Sequence, residues 1–157
     1  MKVILLSIGK TDDAVITQLI EEYKKRVNFY LSFDMNVIPD LKNRKNLSEN
    51  EQKKEEGSMI QKILQPSDYI VLLDDKGKEY SSVEFARFME KKMSSVTKRL
   101  VFVIGGPYGF SREIYDRANE QLSLSKLTFT HQMVRVVFAE QLYRAMTILN
   151  NEPYHHE

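Results

Sequence analysis

The chain has 157 residues, 42% hydrophobic and 29% charged, a balance that suits one soluble domain around one core. No apolar run reaches the roughly 18 residues that a membrane span needs, and the absence of cysteine excludes disulfides and thiolate metal sites and fits a cytoplasmic protein. With 23 Lys and Arg against 22 Asp and Glu the net charge is +1, so there is no global basic field to attract phosphates, and composition alone leans toward a small-molecule enzyme.

Taken in chain order, Lys2 to Ile8 reads as a buried strand ending at Gly9. It has no basic start and no small-residue cleavage site, so it is read as a strand and not as a signal peptide. Asp12 or Asp13 can cap the helix that follows, in which Ile16, Leu19, Ile20, Tyr23, Val27, Tyr30 and Leu31 recur at helical spacing. Met35 to Ile38 is a second strand, stopped by Pro39. From Leu41 to Gly57 the chain is crowded with charges of both signs and reads as a mobile loop, leading into a helix that turns apolar at Met59. That charge is either a solvated surface or a loop that touches RNA phosphates.

Tyr69 to Leu73 is a strong buried strand, followed by Asp74-Asp75-Lys76-Gly77 as a turn. Ser81 and Glu84 have capping-box spacing and open a helix to about Lys92. Leu100 to Ile104 is a continuous apolar strand that runs into Gly105-Gly106-Pro107-Tyr108-Gly109-Phe110. Ser111 caps a short helix to about Asn119, Leu122 to Ser125 is a short strand, and a long helix runs from about His131 to Leu149. Apolar strands alternating with helices imply an α/β fold with a mainly parallel sheet covered on both faces. No internal repeat or linker divides the chain, so residues 1–157 are read as a single domain.

The glycine loop after a buried strand lets a ligand approach the backbone, and ligands of such sheets sit beyond the carboxyl ends of strands. Its spacing matches neither a dinucleotide fingerprint nor a P-loop, and Pro107 removes one N–H donor from any phosphate cradle. On its own the loop is either a tight turn or one wall of a ligand site. Three histidines without cysteine make no metal-ligand spacing.

Several segments together are more specific. They are Leu72-Leu73-Asp74; Ile104-Gly105-Gly106-Pro107-Tyr108-Gly109; Leu124-Ser125-Lys126-Leu127-Thr128-Phe129-Thr130-His131; a helix with Val134-Arg135-Val136 and Glu140-Gln141-Leu142-Tyr143-Arg144-Ala145; and the end Pro153-Tyr154-His155-His156-Glu157. In this order and at this length, the chain resembles the bacterial family of large-subunit (23S) ribosomal RNA methyltransferases that modify a pseudouridine at N3. That family lies within the SPOUT (α/β trefoil knot) superfamily. The resemblance spans the chain, although Leu41 to Gly57 matches none of its motifs.

The resemblance implies a C-terminal trefoil knot, which periodicity could not propose. It implies S-adenosyl-L-methionine bound by Leu73, Gly105 and the run Leu124, Ser125, Lys126, Leu127, Thr128 and Phe129. It implies a homodimer with the active site across the interface, acting on 23S rRNA in assembled ribosomes. Tyr154, His155 and Arg135 are then the candidate catalytic residues, and His131 and Arg144 the candidate RNA contacts. Arg135 and Arg144 are nine residues apart, about half a turn out of phase. A helix with functional groups on opposite faces suits one buried between subunits, while a solvated Arg135 and a Glu140–Arg144 pair are the plainer alternative. Two other readings remain open: a knotted enzyme acting on another RNA such as tRNA, and a non-catalytic module that holds S-adenosylmethionine or a nucleotide. A small-molecule α/β enzyme is also compatible with the neutral charge.

Overall fold

Apolar side chains alternate between two sides of one sheet, because successive residues of a strand point to opposite faces. In β1 (Lys2–Ile8), Val3 and Leu5 enter one layer while Ile4, Leu6 and Ile8 enter the other. The division repeats in β3 (Tyr69–Glu79) at Val71 against Ile70 and Leu72, and in β4 (Arg99–Ile104) at Leu100 and Phe102 against Val101 and Val103. With β2 (Ser32–Ile38) and β5 (Glu120–Ser123) these strands form a five-stranded sheet, order β2-β1-β4-β3-β5, every pairing parallel. Parallel neighbours need crossovers, and the crossover helices cover the faces. Helices α1 (Ala14–Asn28), α3 (Ser82–Ser95) and α5 (Met133–Leu149) fill the layer built on Phe102, Phe138 and Leu142. Helices α2 (Glu49–Ile63) and α4 (Arg112–Arg117) fill the other, on Ile60, Val103 and Ile114. The structure, a computed structural model, describes residues 1–156, so Glu157 of the expected 1–157 span lies outside the described residues. No helix among them is long and apolar enough to cross a membrane.

Several expected boundaries move. The stretch read as a mobile loop from Leu41 to Gly57 is helical from Glu49 onward, after a short 3-10 turn at Arg44–Asn46. Its start is fixed by a capping box in which Ser48 and Glu51 satisfy each other's backbone N–H groups. The Asp74–Gly77 turn does not end β3, which runs on to Glu79: Leu73 and Lys78 both pair with Leu122 of β5, and the four residues between them bulge out of the ladder. β2 starts at Ser32, three residues before the expected Met35, and β5 spans Glu120–Ser123 and not Leu122 to Ser125. Helix α1 stops at Asn28, whose amide bridges Phe33 N and O, so Tyr30 and Leu31 lie beyond it. Leu19, expected on its inner stripe, is exposed beside Val15. Ser111 occupies the N-cap of α4 without a side-chain capping bond, and α5 begins at Met133, where Thr130 Oγ1 accepts from the Met133 N–H.

Arg135 corrects the reading of α5 most sharply. It is neither solvated nor on a free face: its residue is fully buried. The guanidinium donates to Ile8 O at 2.9 Å, Gly9 O at 2.6 Å and Thr11 Oγ1 at 2.6 Å. These acceptors lie at the end of β1, where Gly9 turns the chain with a φ of +82° that only glycine adopts without strain. Gln132 adds two bonds to the same turn, accepting from Asp13 N and donating to Asp12 Oδ1. The long faces of α5 pack on α1 and α3 of its own chain, so its burial needs no second subunit. Arg135→Met should lower folding stability by about 1–3 kcal/mol, since it leaves buried carbonyls without donors. Urea unfolding measures this, and an unchanged midpoint would show that the clamp carries no stability.

Candidate functional site

Because all strands run the same way, their carboxyl ends share one edge of the sheet, and ligands of parallel α/β sheets bind beyond that edge. Here it opens into a groove of about 1170 Å³. Leu73 from β3, Gly105 from the loop after β4, and Leu124, Ser125, Leu127, Thr128 and Phe129 from the loop after β5 all line it. The last of these loops is held by its own serines: Ser123 Oγ donates to Ser125 O at 3.1 Å, and Ser125 Oγ accepts from Leu127 N at 3.0 Å. This turn leaves Leu127 76% exposed, an apolar side chain presented at the groove without cover. A Cβ at Gly105 would lie 3.1 Å from the ring of Phe110, so the loop is already tight on its inner side. Lys126 departs from its neighbours, since its exposed Nζ lies 3.6 Å from Glu79 and outside the groove lining.

The opposite half of the groove lies beyond β1 and β2 and carries charge. Lys10, Asp12, Asp40 and Arg44 line it, together with Gln52 and Glu56 of α2. Arg44 pairs with Asp40 at 3.3 Å, both exposed. Glu56 is buried, with Oε1 accepting from Gln52 Nε2 at 2.9 Å. Burial pushes its carboxyl above the ordinary value and neighbouring Asp40 pushes the same way, while Gln52 and Arg44 act against them. Between the two halves, Tyr115 donates to Asp74 Oδ2. Burial alone would raise the Asp74 carboxyl, but this bond and the Lys76 N–H hold it below the usual carboxylate range. Burial and the same bond push the Tyr115 phenol up to about 12.

The C-terminal candidates lie apart from this groove. His131 is on its lining, but Arg144, Tyr154 and His155 gather at the other end of α5, whose axis rises about 16 Å from Met133 to Arg144. There Tyr154 donates to Glu140 Oε1 at 3.0 Å, and Arg144 NH1 lies 3.2 Å from His155 Nδ1. Arg144 also pairs with Glu140 and stacks 4.8 Å above the Tyr154 ring. Burial and the hydroxyl bond to Tyr23 raise the Tyr154 phenol strongly, so it is a donor and stays neutral. Arg135 is not on the lining and spends NH1 on Thr11 Oγ1 and NH2 on the backbone carbonyls of Ile8 and Gly9.

Sequence reading missed Gln52 and Glu56 because they sit within a run of surface-like charge. A signal existed: Gln52, Glu56 and Ile60 are spaced by four, so the buried stripe of α2 continues upstream in polar residues.

Residues 1–155 match the family model described as "Predicted SPOUT methyltransferase". The chain is 62% identical over 157 residues to a protein of Parabacteroides distasonis named "Ribosomal RNA large subunit methyltransferase H", with all of both chains covered. It is 59% and 57% identical, again over the full length of both, to proteins of the same name from Phocaeicola vulgatus and Bacteroides fragilis.

Tyr115→Phe removes the donor that favours ionised Asp74, so the Asp74 titration should move upward, as followed by carboxyl carbon NMR. Because the folded-state value of Asp74 is depressed, its stabilisation is present above the unfolded value and lost as pH falls through the folded one. The variant should therefore be less stable by about 1.5 kcal/mol at neutral pH, with the gap closing in acid.

Proposed function

The chain belongs to the SPOUT methyltransferase family, and from that premise we propose that it methylates N3 of a pseudouridine in 23S rRNA of the large ribosomal subunit. It does so with S-adenosyl-L-methionine, on assembled ribosomes, in the cytoplasm. The observation that carries this reading is the convergence of Leu73, Gly105 and the 124–129 loop, distant in sequence, on one groove. These residues fit the cofactor. Leu124, Leu127 and Phe129 offer apolar plates for an adenine ring, backbone groups of the same loop can read its edge, and glycine at 105 keeps the wall thin. The backbone of Lys126 completes the cradle while its side chain stays in solvent. When bound, the cofactor supplies a methyl group already activated on a sulfonium, so orientation carries much of the rate.

The chain works as a single knotted domain paired with a second copy. Tyr154 and His155 lie too far along α5 to serve their own groove, so the tail of one protomer completes the site of the other. Exposed Val15, Leu19 and Phe29 on the outer side of α1 supply apolar surface for that pairing. In this arrangement Tyr154 and His155 hydrogen-bond the target base, Arg144 and His131 hold RNA, and Arg135 positions the loop that carries the cradle. Near-neutral net charge implies that substrate choice rests on ribosome shape and a few local cations.

Transfer of labelled methyl from the cofactor to ribosomes, with mass spectrometry of the nucleosides, tests the reading. One N3-methylpseudouridine per ribosome and none in tRNA is expected. Labelling of tRNA instead, or binding without transfer, would favour the rival readings. Truncation after Asn151 should leave cofactor affinity intact by calorimetry and lower methyl transfer at least about 100-fold. Normal turnover by that protein would remove the role of Tyr154 and His155.

A further inference from the structure

Four residues of β3 leave the ladder just where the cradle begins. Leu73 and Lys78 both pair with Leu122, and Asp74 to Gly77 bulge between them. Gly77 fastens the bulge to β5, since a Cβ there would fall 2.6 Å from Leu122 N and 2.7 Å from the Gln121 carbonyl carbon. Bulges beside ligand sites re-aim side chains, and here Asp74 joins the groove lining directly after Leu73. It is half-buried, neither sealed in the core nor free in solvent. Two donors fix it: Lys76 N on Oδ1 at 2.9 Å, and the Tyr115 hydroxyl on Oδ2. The Tyr115 ring meets Phe110 edge to face with centroids 5.6 Å apart, and Phe110 is the ring that abuts Gly105. Asp74 is thereby tied to two walls of the cradle, the end of β3 and the loop after β4. The turn chemistry of the bulge accounts for the Lys76 bond, but not for the bond that reaches across from α4.

Resting on the methyltransferase reading above, we propose that Asp74 is the counter-charge by which the cradle selects the sulfonium cofactor over its demethylated product. The ammonium and carboxylate of S-adenosylmethionine cancel, so its net positive charge is that of the sulfonium. S-adenosylhomocysteine, with a thioether in that place, is neutral overall. A sulfonium has no N–H or O–H to donate, so it calls for a fixed charge and not for an open acceptor. Asp74 offers that charge on oxygens that already have donors, and the same donors keep it ionised against the pull of burial. Asp75 and Lys76, exposed on the same bulge and opposite in sign, offset one another. The other lining cations, Lys10 and Arg44, belong to the half beyond β1 and β2. When the methyl group leaves, the C–S electron pair stays on sulfur, the sulfur becomes neutral, and its attraction to Asp74 ends. Asp74 therefore favours cofactor over product in the cradle. It does not speed the transfer itself, because it stabilises a charge that the transition state is losing.

Calorimetry with S-adenosylmethionine and S-adenosylhomocysteine tests this without RNA. Asp74→Asn keeps the shape and an acceptor for Lys76 N but loses the charge. It should weaken S-adenosylmethionine about 10-fold while S-adenosylhomocysteine stays within about 2-fold, with thermal unfolding confirming that the variant folds. In turnover the loss should appear in KM for the cofactor and not in kcat. Tyr115→Phe, which removes one bond and leaves the charge, should keep most of the preference. If Asp74→Asn does not fold, the wild-type protein carries the test: raising salt from about 0.05 to about 0.5 M should weaken S-adenosylmethionine more than S-adenosylhomocysteine. Equal losses for the two ligands, on substitution or with salt, overturn the proposal, because they would move Asp74 to the ribose or ammonium that both share. So does an unchanged affinity for S-adenosylmethionine in Asp74→Asn, or a loss confined to kcat. Failure of the wild-type chain to bind either ligand would overturn the methyltransferase reading first, and this one with it.

Discussion

The buried guanidinium of Arg135 fixes the geometry on which the groove depends. A charge sealed from water costs several kcal/mol unless its N–H groups find acceptors; here NH1 and NH2 find Ile8 O, Gly9 O and Thr11 Oγ1, while Nε has none. Those acceptors are at the end of β1, near the centre of the sheet, while Arg135 is in the first turn of α5, which follows edge strand β5. The clamp therefore fixes one end of a loop whose other end is held by the pairing of β5 with β3. Residues 124 to 132 have to bridge from β5 to the β1 turn, and that path carries Leu124, Leu127 and Phe129 along the open edge of the sheet.

The groove made in this way has two unlike halves. One side is apolar and backbone-rich, formed by Leu73, Gly105 and the 124–129 loop; the other carries Lys10, Asp12, Asp40, Arg44 and Glu56. That division suits two reactants with different demands. In the proposed reaction a flat purine needs apolar plates and edge hydrogen bonds, whereas an RNA target needs cations for phosphate. The charges that the net +1 conceals are thus local and of both signs. The tail forms a third element, preassembled through Glu140, Arg144 and Tyr154 but held at the far end of α5.

The sequence was most legible where local chemistry acts alone. β1 and β4 match their apolar runs because strands covered on both faces must be apolar throughout. Asp13 and Ser81 cap helices as their spacing indicates. The Ser48–Glu51 box was equally local, yet the charge around it masked it, and composition hid a helix that tertiary packing buries on one side. The Asp74–Gly77 segment has turn chemistry and uses it: Lys76 N donates to Asp74 Oδ1, and the four residues bulge from a strand that pairs with β5 on either side of them. Seven of the eight cradle residues read from the family motifs line the groove, and Lys126 does not.

By itself, then, the sequence determined an α/β chain with apolar strands, capped helices and a glycine loop at a strand end, since each of these depends on neighbours a few residues away. Only the tertiary structure decided that Arg135 is a clamp and not a surface group, that α5 packs on helices of its own chain, and that Glu56 is buried against Gly106. Those facts depend on the strand order β2-β1-β4-β3-β5. Periodicity reports that a side chain points inward, but which acceptor it finds there is set by elements far apart in the chain.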